Sequence, residues 1–132
     1  MPEHRPHQTL LGFDVGTRHT GVAIGNTLSA SARGLAVLDS RVTARLFEAI
    51  AALINEWQPD VLVVGRPLHP DGNPHLMTAR SERFARQLHG RFRKPVELID
   101  ERYSTVEAKA GAGAQIDAEA AAIILRQYLA DR

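Results

Sequence analysis

Four acidic residues carry the chemistry this chain can offer. Asp14 sits inside the apolar run Leu10-Leu-Gly-Phe-Asp-Val15, with Gly16 opening a turn directly after it. Asp100 and Glu101 end the apolar segment Pro95-Val-Glu-Leu-Ile99, and Asp117 precedes Ala118-Glu-Ala-Ala-Ala-Ile-Ile-Leu125. Carboxylates are almost never fully buried without a partner, because an isolated buried charge is costly. Acidic groups that converge without a cation raise one another's pKa values. Hard oxygen donors of this kind suit Mg²⁺ or Mn²⁺. Two such ions ~3.5–4 Å apart can bind both the attacking water and the leaving oxygen of a phosphodiester. Competing chemistries are missing. There is no cysteine, which excludes disulfides, thiolate metal sites and a Cys nucleophile. None of the six histidines has metal-ligand spacing such as His-x-x-x-His, and no Ser-His-Asp arrangement stands out.

Each acid also has a structural reading. Asp14 is the least ordinary, as a lone acid in an apolar strand. Neighbours on a strand face opposite sides, so one of Asp100 and Glu101 must point away from any shared site. Asp117 has the character of a helix N-cap. Ser104-Thr-Val-Glu107 matches a capping box, which makes Ser104 and Glu107 structural.

The elements that would position these acids read as β-β-β-α-β-α-β-α-α. Thr9–Val15 and Thr20–Ile24 form a hairpin around the Gly16–Thr20 turn, and Gly34–Leu38 adds a third strand after a loop at 28–32. Leu46, Ile50, Leu53, Ile54 and Trp57 recur at helical spacing, which predicts a helix over 43–57 ended by Pro59. Asp60-Val-Leu-Val-Val-Gly65 is a continuous apolar run, as in a parallel strand covered on both faces. The loop Arg66–Pro74 leaves its C-terminal end, where open α/β sheets bind ligands. A helix over 75–89, capped by Gly90, then leads to a strand over 95–99 closed by Asp100-Glu-Arg102. A short helix begins at Ser104 and fails by Gly111-Ala-Gly113, and the last helix follows Asp117. The fold class is therefore α/β, a mixed sheet with helices on both faces. Residues 1–8 read as a flexible tail and 9–132 as a single domain.

Composition sets the outer limits. The chain has 132 residues, a hydrophobic fraction of 44% and a net charge of +1. No run approaches the ~18 apolar residues of a membrane span. Met1–Gln8 lacks the apolar core of a secretory signal. With no cysteine, this fits a cytoplasmic protein. The charge is unevenly spread. Arg80, Arg83, Arg86, Arg91, Arg93 and Lys94 stand against Glu82 alone, while 97–119 is acidic. A basic strip beside an acidic cluster suits a polyanion cut at a metal site.

Four segments together resemble the YqgF/RuvX family: Phe13-Asp-Val-Gly-Thr-Arg-His-Thr-Gly-Val-Ala23, Val63-Val-Gly-Arg-Pro-Leu-His-Pro-Asp-Gly72, Asp100-Glu-Arg-Tyr-Ser-Thr105 and Asp117-Ala-Glu-Ala-Ala-Ala-Ile-Ile-Leu125. That family belongs to the ribonuclease-H-like, Holliday-junction-resolvase-like superfamily. The resemblance implies a five-stranded mixed sheet and a metal-dependent nuclease using Mg²⁺ or Mn²⁺. It implies processing of the 5′ end of pre-16S rRNA in the bacterial cytoplasm, with structured DNA such as a Holliday junction as the alternative substrate. By residue, it implies Asp14, Glu101 and Asp117 as catalytic metal ligands, with Asp100 as the fallback for Glu101. Arg18, Arg66 and Arg102 sit where loop position suits phosphate contact. Members commonly carry a basic stretch between the last two helices, where this chain has Lys109-Ala-Gly-Ala-Gly-Ala-Gln115. The grip on nucleic acid then shifts to the 80–94 strip, Arg80 and Arg83 foremost. The protein is expected as a monomer or homodimer.

Two other readings compete. An actin-like or sugar-kinase ATPase shares the meander and an Asp-x-Gly-Thr turn like Asp14-Val-Gly-Thr17, but it needs two lobes and this chain supplies one. A non-catalytic RNA-binding assembly factor on the same fold would bind without cutting.

Overall fold

A computed structural model describes residues 7–101 and 114–131, with the side chains of 114–117 outside the described set. Strand β1 (Thr9–Asp14) pairs antiparallel with β2 (His19–Asn26), and β2 pairs antiparallel with β3 (Ser31–Asp39). Helix α1 (Thr43–Trp57) crosses to β4 (Val61–Pro67), which lies parallel to β1. Helix α2 (Thr78–Phe92) crosses again to β5 (Val96–Glu101), parallel to β4. Helix α3 (Ala114–Ala130) follows. The strand order is β3-β2-β1-β4-β5, so among the described residues β1 and β4 are central and β5 is an edge.

Two cores cover the two faces of the sheet. On one, Leu11, Phe13, Leu62 and Val64 pack against Phe47 and Ile50 of α1 and Phe84 and Leu88 of α2. On the other, Leu10, Ala23, Val61 and Val63 pack against Ala121, Ala122, Ile124 and Leu125 of α3. Alternation along the strands assigns each side chain to one core. Small residues let α3 sit close. A Cβ at Gly12 would lie 2.5 Å from Leu125 Cγ, and one at Gly34 would lie 2.9 Å from Ala118 Cβ.

The ends of several elements differ from expectation. The first helix runs over 43–57 as the spacing predicts. The third strand begins at Ser31, because a tight turn with Ala30 at φ 53° sends the chain straight back along β2. Helix α2 starts at Thr78, three residues late. The Thr78 hydroxyl accepts from the His75 N–H and donates to the Pro67 carbonyl, tying the helix start to the end of β4. Gly90 lies inside α2, and Arg93, at φ 58°, makes the left-handed cap with its N–H on the His89 carbonyl. Asp117 does not cap the last helix. That helix already begins at Ala114, so Asp117 is its fourth residue. Ala114-Gln115-Ile116 can extend a helix back to the breaker Gly113. The short helix expected from Ser104 to Glu107 lies outside the described residues.

Candidate active site

Asp14 is the last residue of β1. Leu11 and Phe13 face α1 and α2, so Leu10, Gly12 and Asp14 face α3. On β5, Ile99 packs in the α3 core, and Glu101, two residues on, shares its side. Both acids are buried, Asp14 to 4% exposure and Glu101 to 3%. Between them runs β4, and there the residue is Gly65. Phe13 pairs with Val64, and one further step of that register sets Asp14 beside Gly65. A Cβ at Gly65 would collide with Glu101 Oε2 and Ile124 Cδ1. The Glu101 carboxylate thus leans over the bare backbone of β4, towards β1. Two buried carboxylates on one face, with the strand between them stripped of a side chain, form a cradle that a hard cation fits.

Asp100 faces the other way. It lies directly across from Arg66 in the parallel pair of β4 and β5. Arg66 donates from Nε to Asp100 Oδ1 at 2.8 Å, with Nη2 in ion-pair contact with the same oxygen at 2.7 Å, and from Nη1 to Glu82 Oε2 of α2 at 3.0 Å. These bonds, to Asp100 first and then Glu82, raise the already high pKa of Arg66. Asp117 lies in the first turn of α3, on the Asp14 side of the sheet, and its side chain is outside the described set. Arg102 also lies outside the described residues. Among the described residues, no three His, Asp or Glu side chains form a group that could hold a metal ion.

The turn after Asp14 shapes the rim. Gly16 is required there because a Cβ would collide with the His19 carbonyl oxygen. The Arg18 carbonyl accepts from Ser40 N–H at 2.8 Å, and below it the Thr20 and Ser40 hydroxyls share a buried 2.6 Å hydrogen bond. Arg18 itself is exposed on the turn. On the α2 side a small cleft of about 70 Å³ is lined by Gly16, Thr20, Ser40, Arg80, Arg83 and Gln87 among others. The structure thus brings Arg80 and Arg83 to the same turn that follows Asp14. Two site-forming residues were not singled out from sequence. Glu82 was visible only as the one acid in a basic strip, and Gly65 only as the glycine ending an apolar run.

The family model described as RuvX, Holliday junction resolvase, matches residues 8–131. The chain belongs to the RuvX family. A Paraburkholderia phymatum protein named "Putative pre-16S rRNA nuclease" is 56% identical over 127 residues, covering 92% of this chain and 84% of that protein. Proteins of the same name from Paraburkholderia xenovorans and Burkholderia mallei are 55% and 54% identical, each covering 92% of this chain and 87% of the relative. Among solved structures, Thermus thermophilus RuvC in complex with a Holliday junction substrate superposes with a TM-score of 0.63 at 16% identity, covering 94% of this chain and 95% of that one. The Fowlpox virus resolvase with Holliday junction DNA gives 0.55 at 10% identity, covering 93% and 97%. These likenesses bear out the ribonuclease-H-like, five-stranded mixed sheet. As a RuvX-family chain it is a nuclease, an enzyme that hydrolyses phosphodiester bonds. No helix among the described residues is long and apolar enough to cross a membrane.

Proposed function

We propose that this RuvX-family nuclease trims the 5′ end of pre-16S rRNA in the cytoplasm, with Mg²⁺ or Mn²⁺ held by Asp14 and Glu101 and completed by Asp117. The observation that carries the reading is the burial of Asp14 and Glu101 on one face, with Gly65 leaving room for the Glu101 carboxylate to lean across β4. Bound divalent ions would supply an activated water and charge on the leaving oxygen. The chain's own residues do the rest. Asp14 and Glu101 hold the cations and, held within packed strands, keep their positions. The Gly16 turn keeps the rim low enough for a sugar-phosphate backbone to approach. Arg18 on that turn, with Arg80 and Arg83 in the adjoining cleft, attracts the flanking phosphates. RNA is favoured over junction DNA by relatives above 50% identity named for pre-16S rRNA.

The test is cleavage of an RNA carrying the 16S 5′ precursor sequence, beside a four-way DNA junction, with Mn²⁺ and then with EDTA. RNA cleavage that EDTA abolishes is expected. Asp14→Asn is expected to remove several kcal/mol of charge stabilisation, a loss of at least about a hundredfold in rate with the fold intact by circular dichroism. A variant that cuts like wild type would remove Asp14 from the mechanism. Preference for the junction over the RNA would change the substrate and keep the site.

A further inference from the structure

Among the described residues, strand β5 is an edge, paired to β4, and Glu101 is the last residue of its described span. An edge strand opens locally more readily than a central one. Two of its contacts at Asp100 and Glu101 bear on the site. Leu68 N–H donates to the Glu101 carbonyl at 2.9 Å. Arg66 grips the neighbouring Asp100 through two nitrogens and reaches Glu82 of α2 with a third. Both contacts come from the residues just after Gly65, the position over which the Glu101 carboxylate leans. Below the sheet, then, β4 offers a gap that takes Glu101. Above it, β4 offers an arginine that fixes the residue before Glu101.

We propose that Arg66 is a positioning residue: by bridging Asp100 to Glu82 it sets the orientation of the last two residues of β5 and so aims Glu101 over Gly65 at Asp14. The inference rests on reading Asp14 and Glu101 as the cation-holding pair. Energetics favour this role over a purely structural one. Arg66, Glu82 and Asp100 are about one-third to two-fifths exposed, and ion pairs of that exposure contribute little to stability. Geometry is what the bridge supplies. Only a planar guanidinium fork grips one carboxylate with two nitrogens while reaching a second, and a lysine has no such fork.

The test uses the full chain and Arg66→Gln. Mn²⁺ binding is measured by calorimetry without substrate, kcat and KM are measured on the precursor RNA, and RNA affinity in EDTA is measured against salt. Loss of a positive charge near the cradle would, by Coulomb attraction alone, tighten Mn²⁺ binding. Positioning predicts the opposite sign: binding weakened by about 10–100-fold, as for other supports of metal ligands. It also predicts a lower kcat with unchanged RNA affinity and salt dependence in EDTA. Unchanged or tighter Mn²⁺ binding overturns the proposal. If weaker RNA binding and a shallower salt slope accompany it, Arg66 is a phosphate contact instead. Glu101→Gln separates the two levels. If it binds Mn²⁺ and cuts like wild type, the site reading itself fails. If it loses both while Arg66→Gln keeps Mn²⁺ binding, only the positioning role fails. Should Arg66→Gln not fold, Arg66→Lys, which keeps the charge and loses the fork, is read in the same way.

Discussion

Gly65 decides whether Glu101 can reach across β4. A methyl group there would overlap Glu101 Oε2 on one side and Ile124 Cδ1 on the other. The end of Ile124 can turn aside within the α3 core, whereas the carboxylate can move only by leaving its place. Gly65→Ala is therefore expected to fold with a stability loss within the ~1–3 kcal/mol of an overpacked core, and to lose cleavage by about 10–100-fold. Combining it with Ile124→Val removes the Cδ1 overlap and leaves only the milder approach of Cγ1 at 3.0 Å. The pair is expected to regain thermal stability and not cleavage, as melting curves and kcat would report. Recovery of both would mean that the overlap with Glu101 is immaterial. At this scale the sequence was partly legible. Asp14 stood out because an acid inside an apolar run is unusual on any register. The choice between Asp100 and Glu101 was open, because strand alternation gives parity and not which face is which. That needs the pairing Arg66 to Asp100 and Pro67 to Glu101, a long-range fact. Gly65 was invisible as a site residue because its role is an absence of side chain opposite a residue 36 positions away.

At the scale of elements, α3 is the piece that closes the site's face of the sheet. Its seat is steric: Leu125 sits where Gly12 and Gly25 have no side chain, and Ile124 sits over Gly65. Leu125 is fully buried, so Leu125→Ala leaves a cavity that the glycine-lined strands cannot fill. A loss of ~2–5 kcal/mol is expected, measured as a lower urea midpoint with an unchanged slope. Activity per folded molecule should fall as well, because α3 also carries Asp117. A change under 1 kcal/mol would show that α3 is held elsewhere. Element order and type were legible throughout the described chain because the periods differ sharply: continuous apolar runs for β1 and β4, helical spacing for α1. Ends were less legible where contacts distant in sequence set them. The Thr78 bond to Pro67 delays α2, and pairing to β2 lengthens β3.

For the whole molecule, the two halves of the proposed machinery lie on opposite faces of one sheet edge. Asp14 and Glu101 face α3, while the cleft with Arg80 and Arg83 opens beside α2, and the turn from Gly16 to Arg18 joins them. A nucleic-acid strand that touches both must pass over that turn, at the end where β1 and β4 stop. A net charge of only +1 provides no general attraction, so affinity must come from this local grouping. The arginines sit about the cleft rather than at the carboxylates, so they should govern binding and not the chemical step. The double variant Arg80→Ala/Arg83→Ala is accordingly expected to raise KM with kcat at saturating RNA close to wild type. Each phosphate contact on a single strand contributes about 0.7 to the slope of log affinity against log salt. Losing two should flatten that slope by about 1.4, measurable by fluorescence anisotropy on single-stranded RNA in EDTA. An unchanged slope would move the strand's path off α2 and, among the described residues, towards Arg18 and the turn.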